Sequence, residues 1–410
     1  MRKHRSLKAL ALCLVAALLF MGTATAEETP LTPGVTVAAD PGSPTGYTVT
    51  FVYEDAEAEK VDVVGTFNFY KEGGKNGSIP SQAYSPFEYE PGMFRANFND
   101  FPATVAMEKV EGSNYWQVAM PLPSGHFLYN YKVNDSETYT PDPANPPMAS
   151  TVTSGNASKL STVDVPYDPI QGSSTDFTFL LPRTDEQVGQ VVYDEYVNID
   201  GETAPLAIYL PYGYDASRAE GYNTIYLAHG TGGSEMEWFA SGNTDHIFDN
   251  LIAEGAVEPT VVVTMMNTQW RNVTFNFYYI VENVMKHIIP FMESNYNVST
   301  EPAGRAFAGL SFGSRTTSNV YAAYPDQFGY FGCFSGADGL INLDTSKLER
   351  LSFPTIVTGN GCYESITAGH LTSQLKTLGI PYSEYTVKGA HDWTVWQVML
   401  KIFATEYLWK

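Results

Sequence analysis

The chain has few cysteines and few basic residues for its length of 410 residues. Its three cysteines supply neither a disulfide framework nor the paired Cys and His spacing of a zinc site. Lysine and arginine number 23 against 45 acidic residues, and the formal net charge is −22. A surface this acidic repels nucleic acid and anionic membranes, so neither is expected as a partner. The composition favours a globular protein that acts on a neutral or dispersed substrate, and it gives no indication of the oligomeric state.

Long hydrophobic runs are also scarce. The apolar run Ala9–Met21 has 13 residues, which is short of the roughly 20 that cross a bilayer. Four basic residues precede it, and the small residues Ala24-Thr25-Ala26 follow it. This pattern predicts a signal peptide over residues 1–26, cleaved near Ala26, and a secreted protein, extracellular or periplasmic, without a membrane anchor. Cleavage changes the net charge to −26 because those four basic residues are lost. It retains Cys333 and Cys362, for which the sequence allows a bridge or two free thiols.

The rest of the chain divides into regions that differ in composition and in the period with which apolar residues recur. Residues 27–45 are rich in Pro, Thr and Gly and are predicted to be a flexible leader. Residues 46–165 carry short alternating segments such as YTVTFVYE and HFLYNYKVN, which predict an all-β sandwich. Residues 176–410 alternate apolar runs with helical patterns. They predict a mostly parallel sheet with helices on both faces, whose sites lie at the carboxyl ends of the strands.

The stretch FAGLSFGS, residues 307–314, contains the pattern Gly-x-Ser-x-Gly with Ser311 at its centre. The pattern of RAFAGL before it is typical of a strand, and the residues after Gly313 are typical of a helix. A sharp turn between the two exposes the serine hydroxyl, and the flanking glycines remove side chains that would collide there. We therefore interpret Ser311 as a nucleophile. The alternative is a serine that only caps the following helix.

A serine nucleophile needs a histidine base, and the base needs an orienting acid. His391 follows the last predicted strand, where the base of such a fold lies. Glu364 follows the preceding strand and is predicted to be the acid, with Asp338, one strand earlier, as the alternative. Asp392 is expected to cap the final helix. The other histidines of the mature chain lie in the β module, in a glycine-rich loop or on helices: His126, His229, His246, His287 and His370.

The oxyanion of an ester reaction needs two converging N–H donors. The segment LAHGTGGSEMEW reads as a strand that runs into a glycine-rich loop. We assign the donors to the main-chain N–H groups of Thr231 and Phe312, with His229 positioning the loop. The reaction so predicted requires no metal and no organic cofactor.

With these motifs, the C-terminal part resembles the feruloyl and acetyl-xylan esterases of carbohydrate esterase family one and the wider esterase-D-like group of α/β hydrolases. Most of residues 190–405 is spanned by the matching stretches YLAHGTGGSEMEWF, DNLIAEGAVEPTVVVT, RAFAGLSFGS and GAHDWTVW. The resemblance implies the α/β-hydrolase fold, ester-linked xylan decorations as substrates, and the roles given above to Ser311, His391, Thr231 and Phe312. The sequence departs from the family at the acid, where Glu364 in GNGCYES stands for an Asp in a shorter loop. It also departs at Phe312, where Met is usual.

The β module resembles the immunoglobulin-like modules related to glycogen-binding domains, through VDVVGTFNF and YWQVAMPLPSGHFLYNYKVND. The resemblance implies a carbohydrate-binding module. Trp116 and Tyr129 are the candidates for stacking on sugar rings. The alternative is that both belong to the core of the sandwich.

Aromatic residues near the motifs bear on the acyl group. Trp238, Gln269, Trp270 and Trp393 are predicted to bind substrate, and an aromatic slot favours a hydroxycinnamoyl group over acetyl. The predicted function is a secreted serine esterase that releases ferulic acid from plant cell-wall polysaccharide, such as feruloylated arabinoxylan, through an acyl-enzyme. Two alternatives stay open: an acetyl-xylan esterase on the same scaffold, and a non-catalytic carbohydrate-binding protein with a decayed esterase domain.

Overall fold

A computed structural model describes residues 31–73, 79–96, 103–149, 159–171, 175–267, 276–339, 343 and 354–410. The predicted signal peptide lies outside these ranges, as do two predicted site residues, Gln269 and Trp270. Residues Pro33–Lys410 form one compact unit. The other unit is Met1–Thr32, of which only residues 31–32 are described. No described helix has the length and apolar character to span a bilayer.

The N-terminal part is built from two antiparallel sheets. The first has the order β1-β2-β8-β7, formed by Gly34–Ala39, Tyr47–Glu54, Tyr115–Pro121 and Glu108–Lys109. The second has the order β10-β9-β3-β6, formed by Ser161–Val165, Gly125–Val133, Val61–Gly65 and Ala103–Ala106. A separate short ribbon pairs β4 (Phe69–Tyr70) with β5 (Phe94–Arg95).

The two sheets share one core, so the all-β sandwich prediction is confirmed. β2 contributes alternate residues such as Phe51 from one sheet, and Phe127 and Tyr129 come from the other. Trp116 is 6% exposed and Tyr129 is fully buried, which confirms the core alternative for both rings. The immunoglobulin-like classification and sugar binding stay predictions.

One boundary prediction is wrong. β1 lies inside the segment 27–45 that the sequence predicts to be a flexible leader, and it pairs with β2 over all six of its residues. Val35 and Val37 pack against the core of the sandwich. The proline-rich composition of this segment hides a short alternation of valines that is sufficient for an edge strand.

The C-terminal part is one eight-stranded sheet with the order β11-β12-β14-β13-β15-β16-β17-β18. Its strands are Gln190–Val197, Thr203–Leu210, Asn223–Ala228, Thr260–Met265, Arg305–Leu310, Tyr330–Phe334, Thr355–Gly361 and Ser383–Val387, numbered β11 to β18 along the chain. β11 and β12 are antiparallel to their neighbours, and the pairs from β14 to β18 are parallel. The prediction of a mostly parallel sheet is confirmed.

Helices cover both faces of this sheet. The α-helices are α1 (Glu237–Ala240), α2 (Thr244–Ala253), α3 (Phe277–Asn283), α4 (Ile289–Asn295), α5 (Phe312–Ala323), α6 (Gly369–Leu378) and α7 (Trp393–Ile402). Two π-helical turns, Val284–Ile288 and Phe403–Tyr407, and three 3-10 turns, Pro86–Glu88, Thr178–Leu180 and Pro302–Gly304, complete the described helical segments. Ile225 and Leu227 of β13 face one core, and Tyr226 and Ala228 face the other. This alternation explains why the strand is apolar throughout.

Candidate active site

Ser311 occupies a sharp turn between β15 and α5. Its φ of 52° and ψ of −113° lie outside the regions that a non-glycine residue prefers, a strain that costs about 1–3 kcal/mol and typically marks a functional position. A Cβ on Gly309 would collide with the backbone of Gly313, and one on Gly313 would collide with the carbonyl of Ala228. The two glycines of the motif are therefore required by close backbone approach.

The structure brings Ser311, His391 and Glu364 together in one hydrogen-bonded chain. Ser311 Oγ lies 2.9 Å from His391 Nε2. His391 Nδ1 lies 2.7 Å from Glu364 Oε2. The Glu364 side chain is 1% exposed and that of His391 is 13% exposed, so the pair is shielded from water while the imidazole still reaches the surface. This is the order and spacing that a nucleophile, a base and an orienting acid require.

The second oxygen of Glu364 has partners that the sequence analysis missed. Glu364 Oε1 accepts hydrogen bonds from Ser335 Oγ at 2.7 Å and from the N–H of Gly361. Ser335 Oγ in turn accepts a hydrogen bond from Trp396 Nε1 at 2.9 Å. The Trp396 indole also meets the His391 ring edge to face, at 5.1 Å. The carboxylate is therefore held from both sides, which fixes the oxygen that faces the base.

The competing acids have other partners. Asp338 forms an ion pair with Arg315, 2.8 Å from its Nε, and accepts a hydrogen bond from Asn319. Asp392 caps α7 through the N–H of Thr394 at 2.9 Å, as its place in the sequence predicts. The structure therefore brings Glu364, and not Asp338, to the histidine.

The glycine-rich loop that follows β13 lines the same cavity as Ser311 and His391. Thr231 is exposed on this loop, and Phe312 is the first residue of α5. His229 is buried, lies 2.6 Å from the carbonyl of Gly230 through Nδ1, and accepts from the N–H of Asn267 through Nε2. Burial lowers the pKa of His229 to about 4, so the ring is neutral at pH 7. These contacts agree with a loop-positioning role.

A cavity of about 260 Å³ opens at the triad. It is lined by Gly230, Thr231, Gly232, Gly233, Glu237, Leu310, Ser311, His391, Trp393 and Trp396. Trp393 therefore borders the site, as predicted. Trp238 does not. It is 1% exposed, donates to the carbonyl of Ala228 and supports Trp393 edge to face at 5.4 Å. A tryptophan that follows a glycine-rich loop can point into the core as readily as into the cavity, and the sequence does not distinguish the two.

Glu237 is a carboxyl group on this cavity that the sequence analysis missed. Burial raises the pKa of its side chain, and a hydrogen bond from Ser241 at 3.2 Å opposes this shift. An acidic group beside a reactive serine can accept a hydrogen bond from a substrate hydroxyl. The position of Glu237 directly before Trp238, in the segment GGSEMEW that continues the glycine-rich loop, could have predicted that this carboxyl group borders the cavity.

The two cysteines among the described residues, Cys333 and Cys362, are both free. Cys333 is buried, and Cys362 is exposed beside the acid loop. Burial raises the pKa of the Cys333 thiol to about 12, so this thiol is not a nucleophile at neutral pH. Within the described ranges, no group of three His, Cys, Asp or Glu side chains is arranged to hold a metal ion.

Several known proteins are similar to parts of this chain. Residues 198–343 match a family model described as "Putative esterase". Endo-1,4-beta-xylanase Y from Acetivibrio thermocellus is 37% identical over 227 residues, which cover 49% of this chain and 20% of that protein. An endo-1,4-beta-xylanase/feruloyl esterase from Xylanibacter ruminicola is 32% identical over 144 residues, which cover 33% of this chain and 20% of that protein. The chain thus spans about a fifth of the length of these curated relatives.

A solved structure extends the likeness over both parts of the chain. The enterobactin esterase of Shigella flexneri has a TM-score of 0.54 at 16% identity, covering 92% of this chain and 96% of that one. At this identity the likeness concerns the fold alone. The chain therefore shares its fold with a solved structure of the α/β-hydrolase type, and residues 198–343 of the α/β part match the esterase model.

Proposed function

We propose that this protein is a secreted serine esterase that releases hydroxycinnamic acids, ferulic acid above all, from ester-linked plant cell-wall polysaccharide such as arabinoxylan. The observation that carries the proposal is the hydrogen-bonded Ser311, His391 and Glu364 chain at an open cavity. The acyl group and polymer are supported by the similarity to a protein named as a xylanase and feruloyl esterase.

The first step is acylation. His391 Nε2 takes the proton from Ser311 Oγ as this oxygen attacks the ester carbonyl, and a tetrahedral intermediate forms. Glu364 stabilises the imidazolium that results. The intermediate then collapses, the bond to the sugar oxygen breaks, and His391 returns the proton to that oxygen.

The second step repeats the first with water. His391 removes a proton from water, which attacks the acyl carbonyl. His391 then returns this proton to Ser311 Oγ as the bond between Oγ and the acyl carbon breaks. The products are the free acid and the regenerated enzyme. In both steps the N–H groups of Thr231 and Phe312 are proposed to hold the oxyanion, a contribution of typically about 3–4 kcal/mol for each donor in such sites.

Two tryptophans in the cavity wall, Trp393 and Trp396, support a planar acyl group. Trp393 borders the cavity and is fixed between Trp238 and Trp396. A hydroxycinnamoyl ring gains both apolar burial and aromatic contact from such walls, by about 0.5–1.5 kcal/mol for each well-placed pair.

An acetyl ester is the second candidate. The cavity wall next to Ser311 is formed by a glycine loop and Glu237, which is polar and suits a small acyl group or a sugar hydroxyl. The third reading, a decayed esterase domain, is opposed by the complete triad. The buried positions of Trp116 and Tyr129 also remove the two rings on which sugar stacking by the sandwich was based.

A substrate panel tests the acyl group. Wild type and Ser311→Ala are assayed on methyl ferulate, acetylated xylan and a short-chain aryl ester. The proposal expects wild type to hydrolyse methyl ferulate with the highest kcat/KM and the variant to be inactive. Release of acetate alone would favour the acetyl-xylan esterase over the feruloyl esterase. A wild type as inactive as the variant on all three esters would refute both candidates.

Export is tested separately. The proposal expects the protein recovered outside the cytoplasm to begin at or near Glu27, by mass spectrometry of its N-terminus. Recovery of the uncleaved chain from the membrane fraction would contradict it.

A further inference from the structure

The ribbon β4–β5 of the sandwich contacts both loops that carry the catalytic acid and base. We propose that Phe94 and Arg95 of this ribbon are positioning residues for the esterase site, holding the acid loop and the base loop at the separation that the triad requires. The inference rests on the proposed esterase function. Under this proposal the sandwich supports the geometry of the active site, whether or not it binds sugar.

Phe94 acts on the acid loop. Its ring stacks on Tyr363, the residue before Glu364, with centroids 4.5 Å apart and planes at 7°. Tyr70 of β4 stacks on the Phe94 ring at 5.9 Å. The acid loop therefore lies against a stack of aromatic rings, two of which belong to the sandwich.

The same ring also packs against the base loop. Ala390, the residue before His391, is fully buried in a small cluster with Phe94 and Ala96. The two loops are joined directly by the hydrogen bond from the N–H of Tyr363 to the carbonyl of Gly389, at 3.0 Å. Phe94 thus fills the space against which both loops close.

Arg95 holds the far side of the base loop. Its Nε and Nη2 donate to Thr394 Oγ1 at 3.0 and 2.7 Å, and its Nη1 donates to the carbonyl of His126. The guanidinium also stacks on Phe127 at 4.5 Å. Thr394 lies three positions after His391, so Arg95 fixes the start of α7 immediately after the base.

The dipole of α7 does not account for the placement of Arg95 at the N-terminal end of this helix. A cation near the N-terminus of a helix is unfavourable, and burial lowers the pKa of Arg95 to about 10 while Asp392 opposes the shift. A half-buried guanidinium that donates only to a neutral hydroxyl and a carbonyl adds little stability, because its desolvation is not repaid. It does fix direction, since a planar fork defines where Thr394 lies.

A third contact also joins the base loop to the ribbon. Lys388 in the base loop donates to the carbonyl of Gly92, just before β5, at 3.0 Å, and pairs with Glu72 at 2.8 Å. Contacts from both sides of the ribbon therefore converge on residues 388–394. A displacement of about 1 Å in a catalytic group can cost about 100-fold in rate, so the ribbon needs only to prevent small movements to matter.

The test uses the full chain and a small ester, methyl ferulate. Arg95→Gln and Phe94→Leu are expected to lower kcat about tenfold, while KM changes less than about twofold. Thr394→Val is expected to match Arg95→Gln, and the double variant to lose no more than either single variant, because both remove the same contact. In Arg95→Ala, added guanidinium chloride is expected to restore part of kcat, compared with sodium chloride at equal ionic strength.

Matched controls come from the same module. Lys71→Ala removes a cation of the ribbon whose partners, Glu90 and Tyr84, lie in the sandwich. Phe87→Ala removes an exposed ring. Both should keep kcat within about twofold of wild type, and circular dichroism establishes that each variant is folded.

Three outcomes would overturn the inference: unchanged kcat in folded Arg95→Gln and Phe94→Leu, losses in kcat that the controls share, or additive losses in the double variant without guanidinium rescue. If Arg95→Gln does not fold, Phe94→Leu and Thr394→Val give the same decision. Inactivity of the wild type itself would instead count against the proposed function.

Discussion

The described part of the chain contains two buried histidine–carboxylate pairs of the same length, one in the sandwich and one in the α/β domain. In the α/β domain His391 Nδ1 lies 2.7 Å from Glu364, and in the sandwich His126 Nδ1 lies 2.7 Å from Asp164. The pairs differ at the other ring nitrogen. Nε2 of His391 meets Ser311 at the cavity, whereas Nε2 of His126 is buried with no hydrogen-bond partner in the described structure.

The difference shows that a histidine–carboxylate pair is not by itself a catalytic feature. Asp164 also accepts a hydrogen bond from Asn243 of the α/β domain at 2.8 Å, so the sandwich pair joins the two parts of the chain. The Glu364 pair is joined instead to a strained serine and an open cavity. The Glu364 pair is suited to catalysis because it is accessible from the cavity and because the other ring nitrogen of His391 meets the Ser311 hydroxyl.

The largest expected effect separates the two histidines. His391→Ala should lower kcat on the order of 10⁴- to 10⁶-fold, because the nucleophile loses its base. His126→Ala should keep kcat within about threefold and lower the melting temperature by several degrees, since it opens a cavity and removes one partner of Asp164. Kinetics and thermal denaturation of both variants measure this. Comparable losses of kcat would erase the distinction between the pairs.

The next effect concerns which carboxylate serves the base. Glu364→Gln should reduce kcat about 10³- to 10⁴-fold, because an amide cannot stabilise the imidazolium. Asp338→Asn removes a carboxylate that pairs with Arg315 and should change kcat less than about threefold. Steady-state kinetics on one ester decide between them. A large loss in Asp338→Asn alone would reverse the assignment of the acid.

A smaller effect is expected from the groups behind Glu364. Ser335→Ala removes the hydroxyl that donates to Oε1 and accepts from Trp396, and it should lower kcat about tenfold with little change in KM. Trp396→Phe keeps the ring beside His391 but loses the N–H, so its loss should be similar or smaller. The double variant should lose no more than the larger single loss. Full additivity would mean that the two residues act separately.

The smallest effect concerns Glu237, a carboxyl group on the cavity that has no histidine partner. Burial raises its pKa in the folded chain, so the folded state holds the proton more tightly than the unfolded chain. Its contribution to stability is present at low pH and is lost as pH rises through the folded pKa. The melting temperature of Glu237→Gln, relative to wild type, should therefore increase between about pH 4 and about pH 8. A constant difference over this range would contradict the shift.

The sequence predicts the parts of the site that depend on order along the chain. Ser311, Glu364 and His391 each follow a strand of the parallel sheet, and strands deliver their carboxyl ends to one edge whatever the loops contain. Hydrophobic period was sufficient for the sandwich and the α/β sheet. The sequence also predicts that His229 positions the glycine loop, because a histidine in a tight glycine loop is within reach of neighbouring carbonyls.

Features that depend on direction or on distant contacts escape the sequence. Trp238 and Trp393 have similar sequence surroundings, yet one is core and one borders the cavity. Ser335 and Trp396 carry no motif, since their role exists only when β16 and α7 meet at Glu364. Phe94 and Arg95 lie about 300 residues before their partners, and no local pattern marks such a contact. β1 was missed because its valines are few and its flanks are rich in proline.

The most direct test of the account is covalent labelling of the nucleophile. The folded protein is treated with an alkyl fluorophosphonate, the adduct is located by peptide mass spectrometry, and residual hydrolysis of methyl ferulate is followed in the same samples. The account predicts one adduct, on the peptide that contains Ser311, with activity falling in proportion to labelling and no adduct in Ser311→Ala. An adduct on another residue, or full activity after complete labelling of Ser311, would contradict it.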